Sequence, residues 1–86
     1  MKVGDLVTLS AKGHSVQLNY TISGMVSLKP QPFGMIVSHD ETEYYPYRVQ
    51  WYGLPYDLPE WGKAGTTKDT MRFRRYELKR LKLRSK

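Results

Sequence analysis

Apolar positions along this chain recur mostly every second residue. In 16–22, VQLNYTI, Val16, Leu18, Tyr20 and Ile22 alternate with Gln17, Asn19 and Thr21. That is the period of a half-buried strand. Ser23-Gly24 and a second apolar stretch, MVSL at 25–28, extend the pattern into an expected β-hairpin over about 16–28. Upstream, Gly4-Asp5 feeds a short strand on which Val7 and Leu9 share a face. Downstream, GMIVS (34–38) and YPYRVQWY (45–52) form a second expected hairpin across the polar turn HDETE (39–43). In its second strand Tyr45, Tyr47, Val49 and Trp51 point to the core. Tyr44, Arg48, Gln50 and Tyr52 point away from it.

Breakers separate these runs. KPQPF (29–33) is a proline-marked connector that cannot enter a central strand. Residues 53–69 hold two prolines, three glycines and no period, which reads as a long loop. The last apolar positions are Met71, Phe73, Tyr76, Leu78, Leu81 and Leu83. On a helix they would split between opposite sides, so they make no single stripe. A strand through Met71 and Phe73, one tight helical turn, and a strand through Leu81 and Leu83 accommodate them better. Phe73 and Tyr76 then face inward and the cations outward.

Charge changes the picture at this point. The chain carries 14 Lys+Arg and 8 Asp+Glu, a net of +6. Residues 71–86 hold eight cations and one anion, Glu77, so the remaining 70 residues sum to −1. Arg72, Arg74, Arg75, Lys79, Arg80, Lys82 and Arg84 are therefore candidates for contact with nucleic acid or with an acidic protein surface. Aromatic composition points to interfaces, because seven of the eleven rings are tyrosines with an apolar body and a polar tip. Tyr52, Tyr56 and Trp61, on or beside the long loop, form a candidate partner-binding patch. In the competing arrangement Tyr56 and Trp61 fold back over the open end of a small barrel.

Catalysis finds little support. There is no cysteine, hence no disulfide and no thiolate metal site. His14 lies in a glycine-flanked loop and His39 in the acidic turn, with no serine in a strained elbow between them. Asp40, Glu41 and Glu43 beside His39 lack the spacing and turn glycine of a calcium loop, so a solvated turn is expected. No enzyme activity, metal or cofactor is expected. No apolar run nears the roughly 18 residues needed to span a bilayer. The opening MKVGDLVTLS lacks the apolar stretch of a secretory signal, so a soluble protein not exported by a signal peptide is expected.

The order KVGDLVTL, GMIV, YRVQW and RRYELKRLKL resembles a Src-homology-3-like barrel, which also ends in strand, 3₁₀ turn and strand. More narrowly it is similar to the small single-barrel proteins of tailed bacteriophages, cyanophages especially. Gly4, Asp5, Val7, Gly34, Ile36, Val37, Val49, Trp51, Leu78 and Leu81 carry the likeness, which leaves out 16–28 and 53–69. The combined expectation is one all-β domain over residues 1–86. It is a small Src-homology-3-like barrel with an inserted β-hairpin at about 16–28, a long loop at about 53–69 and a one-turn 3₁₀ helix before the last strand. The resemblance implies a bacteriophage structural or virion-assembly protein, in the virion or the host cytoplasm. It would contact neighbouring protein subunits through its hairpin and loop, with homo-oligomers allowed and no membrane. The alternative is a small nucleic-acid-binding protein working through its basic C-terminal strands.

Overall fold

Val7, Leu9, Ile36, Val49, Trp51, Phe73 and Leu78 share one side of a five-stranded antiparallel sheet and form most of its core. The computed structural model describes residues 1–28, 31–60, 63 and 65–81. Its strands are β1 (Leu6–Leu9), β2 (Phe33–His39), β3 (Tyr47–Tyr52), β4 (Thr70–Phe73) and β5 (Leu78–Arg80). They lie in the order β4-β3-β2-β1-β5. Among the described residues no pairing joins β4 to β5, so the sheet is not closed into the expected barrel by backbone hydrogen bonds.

The register follows the alternation. Val49 pairs with Ile36 on one side and Met71 on the other, all facing the core. Tyr47, Val49 and Trp51 are buried, while Arg48 and Tyr52 are exposed. Gly34 pairs with Trp51, and a Cβ there would collide with the Val49 side chain. Its lack of a side chain lets the Trp51 indole lie across β2. A register shift between Ile36 and Ser38 bends β2 near its end.

The expected hairpin at 16–28 is not present. This region is helical: α1 (Ala11–Ser15), a 3₁₀ turn (Gln17–Asn19) and α2 (Tyr20–Met25). Ser10 starts it by accepting the Gly13 N–H on its hydroxyl, an N-cap. Ile22, Met25 and Val26, spaced i, i+3 and i+4, are all fully or nearly buried. That stripe packs onto the sheet, and its burial outweighs the period-2 pattern of Val16 to Ile22. Tyr20 and Leu18 are left outside, at 83% and 50% exposure.

The C-terminal end follows the expected strand, turn and strand, with a shift. Arg75–Glu77 make the 3₁₀ turn and β5 starts directly after it. Leu78 pairs with Leu9 and is buried, so the inward strand residue is Leu78 and not Leu81, which lies beyond β5. Phe73 points inward as expected, but Tyr76 does not, being 52% exposed. Leu83 lies outside the described residues. The loop at 53–69 contains no helix or strand among its described residues. It doubles back on itself, Leu58 N–H donating to Lys68 O, and sends Leu58 into the core.

Candidate functional site

Three buried polar residues organise the molecule on one side. Lys63, from the long loop, is 1% exposed, Glu77 1% and Asn19 0%. The Lys63 ammonium donates to Glu77 Oε1 at 2.5 Å and to the Arg72 carbonyl at 3.0 Å. It also lies 4.2 Å from the Phe73 ring centre and 4.7 Å from that of Tyr45, within cation–π range. Glu77 Oε1 further accepts from Asn19 Nδ2 at 2.8 Å, and Oε2 accepts from the Arg74 N–H at 2.7 Å. Asn19 Nδ2 also donates to Gly13 O. One carboxylate thus ties the helical insertion, the long loop and the last 3₁₀ turn together. Burial lowers the Lys63 ammonium below its ordinary value, even with the carboxylate beside it. Burial likewise raises the Tyr45 phenol, and the Glu77 charge adds to that.

This anchoring holds α1 against the last turn. Ser10 N–H donates to Glu77 O, and the Ser10 hydroxyl donates to Tyr76 O. Gly13 lies on the Glu77 backbone so closely that any Cβ would overlap its carbonyl oxygen.

Above the anchor two surfaces emerge. The first is uncharged. Residues 13–28 contain no Asp, Glu, Lys or Arg. Val16, Leu18, Tyr20 and His14 line a groove of about 590 Å³, to which Pro59 of the long loop also contributes. Tyr56, 60% exposed, shares an adjoining hollow with Tyr20. Tyr52 and Tyr56 line a third hollow, beside Gly53 and Pro55, which unlike the groove also takes in the charged Asp57, Lys68 and Asp69. Tyr52 also stacks on Phe33, with ring centres 5.4 Å apart. Tyr52 and Tyr56 thus share one hollow, and Tyr20 and Leu18, which period 2 places on a buried strand face, are exposed beside the groove instead. Trp61 lies outside the described residues. The signal for Tyr20 and Leu18 was the absence of charge over 13–28 in a chain of net charge +6.

The second surface is basic and aromatic. Arg48 and Arg72 pair directly across β3 and β4. The Arg74 guanidinium lies 3.9 Å from the centre of the Tyr44 ring, and Tyr44 is 69% exposed. Tyr45 meets Tyr44 edge to face at 4.8 Å. The seven expected cations do not form one face. Arg72 is on β4 and Lys79 and Arg80 on β5, the opposite edges of the strand order. Arg80 lies 3.4 Å from Asp5, and Arg75 turns one guanidinium nitrogen to the Leu78 carbonyl. Lys82 and Arg84 lie outside the described residues.

The histidines are placed differently from expectation. His14 belongs to α1, its Nδ1 2.6 Å from Ser23 Oγ. His39 closes β2, stacks on Tyr47 at 4.4 Å and pairs with Glu41 at 2.6 Å. Asp40 caps its own turn, its carboxylate accepting from Thr42 Oγ1 and N–H, which holds its pKa below the ordinary carboxylate range. Among the described residues no three His, Asp or Glu stand close enough to share a metal ion. No described helix is long and apolar enough to cross a membrane. No protein-family model, curated protein or solved structure matches this chain.

Proposed function

We propose that this chain is a non-enzymatic interaction module of Src-homology-3-like type that joins protein subunits. Its contact surface is the uncharged groove made by the helical insertion and the long loop. The observation that carries the reading is the shared groove. The two segments outside the barrel resemblance converge there, and they leave Tyr20, Tyr56 and Leu18 exposed around a surface without charges. Interface centres are depleted in charge and enriched in tyrosine in the same way. The Src-homology-3-like reading, without a closed barrel, is supported by the antiparallel five-strand order and by a 3₁₀ turn between β4 and β5. A role in a bacteriophage virion or its assembly is supported by the motif order of the sequence.

The partner that best fits the groove is a second copy of this chain. At net charge +6, two copies repel wherever their basic residues meet. The 13–28 surface is where they can approach without that cost. Sedimentation at rising concentration, with a photo-crosslinker at position 20, tests this. The expected result is a mass above the 10.1 kDa monomer and crosslinks joining two copies. Tyr20→Ser with Tyr56→Ser should return the monomer. A wild-type protein that stays monomeric at about 0.5 mM, with crosslinks only inside one chain, overturns the proposal.

A further inference from the structure

The basic surface is not part of the groove, and its chemistry is different. Glu77, the only anion after residue 70, is neutralised internally by Lys63. Among the described residues Arg48, Arg72, Arg74 and Arg75 form no ion pair. Arg48 and Arg72 occupy a directly opposed cross-strand pair, an arrangement that repels unless an anion lies between or above them. Asp40 lends Arg72 a partial countercharge through space. Glu41 is engaged with His39.

Exposed rings lie among these cations. Tyr44 carries Arg74 on one face, and Tyr76 is half exposed on the turn that follows. Tyr45 meets Tyr44 edge to face and Tyr44 carries Arg74, so these three lie together beside the paired ends of β3 and β4. Arg48 and Arg72 are second from the ends of β3 and β4 that meet this cluster. Guanidinium groups and exposed rings thus occur close together in the chain around one end of the β3–β4 pair, with Arg74 on Tyr44 in direct contact.

We propose that this surface binds single-stranded nucleic acid, with phosphates on Arg48, Arg72 and Arg74 and bases stacked on Tyr44 and Tyr76. Guanidinium groups suit phosphate oxygens through paired donors. Exposed rings suit unstacked bases of any sequence. An acidic peptide would use the cations but not the rings, so the aromatic positions decide between the two.

Fluorescence anisotropy with labelled twelve-nucleotide oligo-dT and oligo-U, on the full chain, tests this. A matched duplex and a poly-glutamate of similar charge serve as competitors. Three phosphate contacts to a single strand give a log–log salt slope near −2, so affinity should fall about twentyfold between 50 and 200 mM salt. Arg48→Gln should flatten that slope by about 0.7. Tyr44→Ala and Tyr76→Ala should each weaken binding about tenfold and leave the slope unchanged. All three side chains are outside the core, so melting temperatures should match wild type and separate loss of binding from loss of fold. Comparing the two oligonucleotides tells DNA from RNA as the preferred strand. Poly-glutamate competing as well as oligo-dT, ring variants without effect, equal affinity for duplex, or no binding at 50 mM salt would each overturn the proposal.

Discussion

Glu77 and Lys63 are partners, but their side chains are not equally engaged. Glu77 accepts from three donors, Lys63 Nζ, Asn19 Nδ2 and the Arg74 N–H. Replacing it with leucine leaves a buried ammonium without its anion and leaves those donors short of an acceptor. The cost should be about 3–5 kcal/mol, most of the roughly 5 kcal/mol such a domain has to lose. Lys63→Met should cost clearly less. The methionine keeps the apolar stem against Phe73 and Tyr45, and Glu77 retains Asn19 and Arg74 N–H. Urea denaturation of both variants checks the ranking, and a Lys63 variant weaker than the Glu77 one would show that the cation–π contacts dominate. The pair also sets an alkaline signature. The Lys63 value is lowered in the fold, so the unfolded chain binds more protons between that value and the ordinary 10.5, and stability rises with pH across that window. Tyr45 is raised above its ordinary 10.0, so the folded state keeps its proton longer and stability falls above about that pH. Denaturation followed up to about pH 10 should therefore show stability rising with pH, and Lys63→Met should lose that rise.

Among the elements, the loop and the insertion are where sequence and structure part. The strands at 47–52 and 70–73 and the first part of 33–39 were legible because they bury alternate residues on one face of a sheet, whereas 6–9, read from Val7 and Leu9, buries Thr8 between them as well. The 3₁₀ turn was legible from the phase break around Tyr76. The helices at 11–25 were not. Val16, Leu18, Tyr20 and Ile22 show period 2, yet only Ile22 of these four is fully buried. The pattern that decides is Ile22, Met25 and Val26, and it competes with a neater alternation in the same stretch. Lys63 and Glu77 were hidden for another reason. A charged residue is read as exposed unless its partner is known, and this partner lies 14 residues away across a loop. The loop itself is part of the core. Leu58 is 3% exposed and its N–H is bonded to Lys68 O. Leu58→Ala should cost about 2–4 kcal/mol, whereas Tyr56→Ala, 60% exposed, should be close to neutral. Thermal melts of the two variants separate these outcomes. A neutral Leu58→Ala would mean that the loop only rests on the sheet.

For the whole molecule the question is whether the insertion is an attached lobe or part of a single folding unit. Three observations bear on it. Ile22, Met25 and Val26 belong to the same buried cluster as Val49, Trp51 and Phe73. Asn19 joins the carboxylate that also holds the loop lysine. Gly13 and Ser10 are seated on the backbone of the turn before β5. A lobe with its own small core could melt early, but this insertion has no core apart from the one it shares with the sheet. A domain of this size buries only about 60–65% of its unfolded surface, so losing three fully buried side chains removes a large part of what stabilises the rest. Heating should therefore give one transition, with the helical signal near 222 nm and the near-ultraviolet signal of the packed aromatic rings falling together. Gly13→Val, which forces α1 off the Glu77 backbone, should lower that single midpoint rather than split it. Helical signal disappearing well before the aromatic signal, in wild type or in Gly13→Val, would show that the sheet folds without the insertion. The groove surface could then open and close on a stable sheet, and self-association would become steeply temperature-dependent below the main transition.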